Sequence, residues 1–266
     1  MRDVTAAGML CTYGSPLHRS AVAEQNHPMI DVLEARGGIP FAKSNTPEFG
    51  AGSQTFNSLF ATTSTPHDQT KTAGGSSGGS AAALAACSCW LATGTDLGGS
   101  LRIPAAFCGV VGLRPSPALV PQLPNASSFA SLHSMHGPMA RNVPDLALLL
   151  DAITGNSGWS FPCLSPEAGT GSFAQAAQAG RRAAAAGDCL HGVRLVFDAD
   201  VGGTCAGFMD PDVVACCRAA AESLRAKAKP AFGHARGGAE ANLAHVFHKT
   251  DVEWLFRVLR AQVSRC

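Results

Sequence analysis

Two short glycine–serine segments carry the residue types that could do chemistry. The first is Gly74-Gly75-Ser76-Ser77-Gly78-Gly79-Ser80, and the second is Gly94-Thr95-Asp96-Leu97-Gly98-Gly99-Ser100. Glycine adopts backbone angles that other residues avoid, so successive N–H groups can converge on one point. In Leu97-Gly98-Gly99-Ser100 such amides would lie beside a serine hydroxyl, which describes an oxyanion hole next to a nucleophile. A serine nucleophile still needs a base, and a serine–lysine arrangement is open. A phosphate-binding loop would need a lysine and a hydroxyl residue after its last glycine, but Ser80-Ala81 follows here. A flexible linker fits poorly, because the first segment runs straight into the apolar small-residue stretch from Ala81 to Trp90.

Other side chains offer weaker chemistry. Cys87 and Cys89 could ligate a metal, but the rest of a site is absent nearby. His133 with His136, and His245 with His248, could share a helix face three residues apart. They have no acidic or cysteine partner close in sequence, so they read as surface or capping histidines. None of these pairs is expected to hold a metal. Arg102 follows Ser100 by two positions and could pin the loop through hydrogen bonds or contact a substrate.

The elements around these segments follow from pattern. Residues Pro28 to Arg36 read as a helix stopped by Gly37-Gly38. Ile39-Pro40-Phe41-Ala42 suits a buried strand, and Ser44 to Thr72 reads as an extended loop. The stretch Ala81 to Trp90 reads as a helix packed closely on all sides. Leu91 to Thr93 and Val110 to Leu113 read as strands, with a short helix over Pro104 to Cys108. Val143 to Ile153 is a helix with Pro144 and Asp145 in its first turn and Gly155 as its stop. Beyond it, Ser157 to Ala186 reads as a surface connection with a helix near Phe173 to Ala185. Val193 to Phe197 reads as a strand. Helices follow from Asp210-Pro211 to Lys227 and from Ala241 to Val263. The first fifteen residues read as loop. Strands alternating with helices predict an α/β layered fold.

Composition excludes several classes. The chain has 266 residues, with 46% hydrophobic and 15% charged, which is globular rather than disordered. Its formal net charge of +1 gives no electrostatic footprint for nucleic acid or an anionic membrane. No run is long and apolar enough to span a bilayer, and the N-terminus lacks a signal peptide's apolar core. The ten cysteines include no Cys-x-x-Cys pair and read as reduced thiols, which predicts a cytoplasmic location.

The two segments, extended by Leu101-Arg102-Ile103-Pro104-Ala105-Ala106-Phe107-Cys108-Gly109-Val110-Val111-Gly112-Leu113-Arg114-Pro115-Ser116, resemble the amidase signature family. The likeness continues upstream through Thr12 to Pro16 and Asn45 to Gly50, and downstream through Gly137 to Arg141. It is convincing for about residues 3–155 and faint for 156–266, within a single, partial domain spanning residues 1–266. The resemblance implies a mixed β-sheet covered by α-helices and a Ser–cis-Ser–Lys triad without a cofactor. Ser100 would be the nucleophile, and Ser76, 24 residues earlier, the bridging serine after a cis peptide from Gly75. Leu97, Gly98, Gly99 and Ser100 would supply the oxyanion hole, with Gly75, Asp96 and Arg102 supporting the loops. The implied reaction is hydrolysis of a small-molecule amide through an acyl-enzyme.

The sequence departs from the family in places. The family's lysine lies in a Lys-Asp pair that here reads Arg2-Asp3. Arginine stays charged in proteins and cannot accept the proton. Lys43 is an alternative base, although a plain loop or strand-end lysine is the better reading. Cys87 and Trp90 stand where relatives have glycine and proline, which predicts an altered turn. The family's elements before this pair and after Cys266 look missing, which would expose sheet edges and favour a homo-oligomer. Two readings therefore stand: an active amidase, or an inactive truncated homologue serving as a binding or scaffold protein or a non-functional gene fragment. A tRNA-dependent amidotransferase component fits less well, because that branch differs around Leu97 and after Arg102.

Overall fold

The computed structural model describes residues 4–117, 119–123, 133–155, 172–187, 197–199 and 208–227. The expected strand at Val193 to Phe197 falls outside them except for Phe197, and the expected helix at Ala241 to Val263 falls outside entirely. The chain divides into two units, Met1–Ala177 and Gln178–Cys266. The first carries both glycine–serine segments.

Helix α1 (Pro28–Ala35) begins where His27 accepts the Met29 N–H at 3.1 Å through Nδ1. It ends on Gly37 at φ +83°, with the Gly38 N–H returning to the Leu33 carbonyl. Its buried Met29 and Ile30 meet Leu149, Leu150 and Ile153 in one core cluster. Val4 and Ala6 belong to the same cluster, and Leu10 bridges to Val22. Residues 4–15 are loop and turn, as expected, but Val4 and Ala6 pack them into the core. Their small apolar side chains fill the space beside α1 although they show no periodicity.

Three strands support the site. They are β5 (Leu91–Asp96), β6 (Val111–Gly112) and β7 (Met135–Ala140), in the order β5-β7-β6 with antiparallel pairing. All six residues of β7 are buried. Successive side chains point to opposite faces, so both faces of this central strand are covered. Helices α2 (Gly78–Ala85) and α3 (Arg102–Cys108) close a second cluster of Ala73, Ala81, Leu84, Leu101, Ala105, Cys108 and Met139. Helix α4 (Val143–Ile153) packs on β7, with Asn142 accepting the Asp145 N–H at 2.9 Å. Helices α5 (Phe173–Ala185) and α6 (Pro211–Lys227) follow the sequence expectation. The arrangement is α/β.

Several expectations are corrected. Ile39 to Ala42 forms no strand, and Ile39 and Phe41 are 85% and 70% exposed. An apolar run becomes a strand only beside a pairing edge, and Pro40 has no N–H to offer. The Ser44 to Thr72 segment is not all loop. It holds the hairpins β1 (Phe56–Asn57) with β2 (Ala61–Thr62) and β3 (Ser64–Thr65) with β4 (Asp68–Thr72). Helix α2 starts inside the glycine segment and stops at Ala85, and its half-buried Ala82, Ala83 and Ala85 show that it is not buried all round. The following turn keeps a regular form: Cys87, at φ +57°, donates to Leu84, and Ser88 donates to Ala83. Cysteine thus stands in the left-handed position glycine normally fills. His136 is buried on β7 rather than at a surface. Strand β7 has no counterpart among the expected elements, and it contains Gly137 and Pro138.

Candidate active site

Strand β5 ends at Asp96, and the chain turns through Leu97–Ser100 into α3. The Asp96 carboxylate is fully buried and organises this turn. It accepts the Gly99 N–H at 2.7 Å and the Leu101 N–H at 3.2 Å. Arg102 adds two bonds of 3.0 Å from Nε and a terminal nitrogen, and Arg114 lies 3.9 Å away. Burial alone would raise the Asp96 carboxyl, but the Arg102 guanidinium and the two amides outweigh it and hold it below the usual carboxylate range. Arg102 therefore pins the loop.

Leu101 fixes the next position. Gly94 on β5 faces Gly137 on β7. A side chain at Gly137 would come within 2.8 Å of Leu101 Cδ1, and one at Gly94 would strike Leu101 Cδ2. The paired glycines leave a seat for this fully buried leucine, directly after Ser100.

The first glycine–serine segment enters α2 beside this turn. The peptide bond between Gly75 and Ser76 is cis. The Ser77 N–H donates to the Ser100 carbonyl at 3.2 Å. The Ser77 hydroxyl accepts the Thr95 N–H at 3.2 Å and donates to the Thr95 carbonyl at 3.3 Å. The two segments are thus joined backbone to backbone, with Ser76 buried and Ser100 half-buried. Gly75 and Gly99 are buried, Gly98 is half-buried and Leu97 is exposed. Sequence reasoning gives no role of their own to Ser77, Gly137 and Leu101. Ser77's place directly after Ser76 is the available signal.

The remaining candidates lie elsewhere. Arg2 is outside the described residues. Lys43 is exposed and lines a cavity of about 460 Å³ with Tyr13, Phe41, Asn45 and Phe60, whose lining includes neither Ser76 nor Ser100. Cys87 is exposed and Cys89 half-buried. Among the described residues no group of three or more metal-ligating side chains gathers.

Comparison with known proteins bears on this geometry. The amidase family's model matches residues 3–189. The chain belongs to the amidase family. The chain is 36% identical over 241 residues to an acylamidase from Rhodococcus erythropolis, covering 88% of this chain and 47% of the relative. It is 46% identical over 153 residues to a glutamyl-tRNA(Gln) amidotransferase subunit from Thermus thermophilus, covering 58% and 32%. Among solved structures, 6-aminohexanoate cyclic dimer hydrolase superposes with a TM-score of 0.68 at 27% identity, covering 96% of this chain and 53% of that one. The matched segments thus span less than half of these two curated relatives. Among the described residues of this amidase-family chain, no helix is long and apolar enough to cross a membrane.

Proposed function

We propose that this chain is a hydrolase of amide C–N bonds, acting on a small acyl or aryl amide through a serine acyl-enzyme. Family membership supports the reaction class. The observation that carries the reading is the Ser77 N–H bond to the Ser100 carbonyl, which sets the two serine-bearing loops side by side. In this scheme the Ser100 Oγ attacks the amide carbonyl carbon. Its proton passes to the Ser76 Oγ, and the Ser76 proton goes on to the leaving nitrogen. The amides of Leu97, Gly98 and Ser100 would hold the oxyanion. The Gly99 N–H already serves Asp96, so its part is to hold the loop. Water then attacks the acyl carbon and the bond to the Ser100 Oγ breaks; the water proton returns to that oxygen through Ser76, and the acid is released.

The scheme requires no cofactor, nucleic acid or membrane partner. Free thiols at all six described cysteines fit a cytoplasmic setting. The exposed Ile39 and Phe41 fit self-association into a homo-oligomer. At position 2 the arginine stays protonated, so the relay lacks the basic end a lysine would give. A fluorophosphonate probe is expected to label Ser100, with label lost in Ser100→Ala and gained faster in Arg2→Lys. A folded sample that takes no label in either the parent or the Arg2→Lys form overturns the reading and leaves a non-catalytic scaffold.

A further inference from the structure

We infer that Thr55 is a positioning residue for the Ser76 loop, acting through the loop's backbone rather than on substrate. Its link to catalysis rests on the hydrolase reading; the contact itself does not. Thr55 lies just before β1 and is 1% exposed. A hydroxyl has one proton and two lone pairs. The Thr55 Oγ1 uses both capacities on one short arc: it donates to the Gly74 carbonyl at 2.8 Å and accepts the Gly78 N–H at 3.1 Å. Ser76 is the middle residue of that arc, with its own carbonyl 3.4 Å from the same oxygen. One side-chain atom therefore ties both ends of the turn that presents Ser76.

The surroundings make this tie specific. Ser77 is the cap residue of α2 but makes no capping bond, since its hydroxyl is engaged with Thr95. The first N–H of α2 takes its acceptor from Thr55 instead. The Gly74 N–H donates to the Thr72 Oγ1 at 3.0 Å, and the Thr72 hydroxyl donates to Gln54 Oε1, next to Thr55. A side chain at Gly75 would come within 2.8 Å of the Gln54 nitrogen. The Thr55 backbone is itself held, its carbonyl accepting the Thr63 N–H at 2.9 Å. An anchored, buried hydroxyl thus fixes the loop through bonds separate from those of Ser77 to β5.

The test uses Thr55→Val, which keeps the shape and removes the hydroxyl, and Thr55→Ser, which keeps the hydroxyl. Amide hydrogen exchange over residues 74–80 is expected to speed up in the Val variant and not in the Ser variant, with residues 96–101 unchanged. Fluorophosphonate labelling of Ser100 is expected to slow by about tenfold in Val, the scale of one lost buried hydrogen bond, and to recover in Ser. Parent-like exchange over residues 74–80 in Thr55→Val overturns the inference. So does loss of the whole fold in both Thr55→Val and Thr55→Ala, which would mean a general structural role. If the parent takes no label, the hydrolase reading fails while the exchange measurement still decides the role of Thr55.

Discussion

The two serine-bearing loops are fixed by different chemistry. The loop around Ser76 is tied by neutral groups: the hydroxyls of Thr55, Thr72 and Ser77 each bond to backbone. The loop before Ser100 is tied by one buried carboxylate that collects two amides and two guanidinium groups. Neutral hydrogen bonds spread the load over several modest contacts. A buried charge concentrates it in one residue, which is stable only while its partners offset the lost hydration. The difference teaches that two loops of similar composition can fail in different ways.

Breaking the charged anchor should have the largest effect. Asp96→Asn keeps the size but replaces one acceptor oxygen by an NH2, so either the Gly99 or the Leu101 N–H is left facing a donor, and Arg102 loses its carboxylate. The Asn oxygen still accepts from the other N–H, so the expected loss is about 3 kcal/mol, from one orphaned amide and the unpaired Arg102, read as a lower urea midpoint. Arg102 is half in solvent, so part of its share is screened. A loss no greater than that of a single neutral hydrogen bond would erase the contrast between the loops.

Acid sharpens the comparison. Because the folded Asp96 carboxyl is depressed, its anchoring is intact above the ordinary carboxylate value of about 3.9 and fades only as pH falls through the lower folded value. A different buried pair responds earlier. His27 and His136 lie with ring centroids 4.5 Å apart, and neither His27 Nε2 nor His136 Nδ1 has a hydrogen-bond partner among the described residues. Burial pushes His27 down to about 4, against the opposing pull of Asp31, and burial with the neighbouring His27 pushes His136 well down. Between the ordinary histidine value and pH 4 the unfolded chain takes protons that the folded chain refuses, so stability falls as pH drops. His27 alone accounts for roughly 3 kcal/mol by pH 4. His27→Asn replaces the Nδ1 acceptor of the Met29 N–H by an amide oxygen and is expected to make the fall of urea midpoints between pH 7 and pH 4.5 shallower, with buried His136 still contributing. Parallel decline of variant and parent would assign the acid response to other groups.

What is legible in the sequence follows from where the signal is local. Helices α1 and α4 are readable because His27-Pro28, Asn142-Val143-Pro144-Asp145, Gly37 and Gly155 mark their ends within a few residues. The serine loops are readable because their glycines are themselves the geometric requirement. Strand β7 is not, since Gly137-Pro138 carries a turn signal while the reason for Gly137 is Leu101, 36 residues earlier in the chain. Ile39 to Ala42 fails the other way, as its local pattern suits a strand but no strand pairs with it among the described residues. Loop support by Asp96 and Arg102 follows from the resemblance, and their bonds explain that role. The contribution of Thr55 depends on hydroxyl direction, which no spacing encodes.

The smallest expected effect belongs to Ser77, and it tests the neutral side of the contrast. Ser77→Ala removes the hydroxyl that accepts the Thr95 N–H and donates to its carbonyl, at 3.2 and 3.3 Å. Both bonds are long, and the Ser77 N–H to the Ser100 carbonyl survives because it is backbone. The loss should therefore be about 1 kcal/mol. No charge is involved, so the same loss is expected at low and high salt. The Asp96→Asn loss, by contrast, should shrink as salt screens the exposed portion of Arg102. Urea titrations of both variants at two salt concentrations read this directly. A salt-dependent Ser77→Ala loss would show that the Ser76 loop also leans on charge, through Thr95 and its neighbour Asp96.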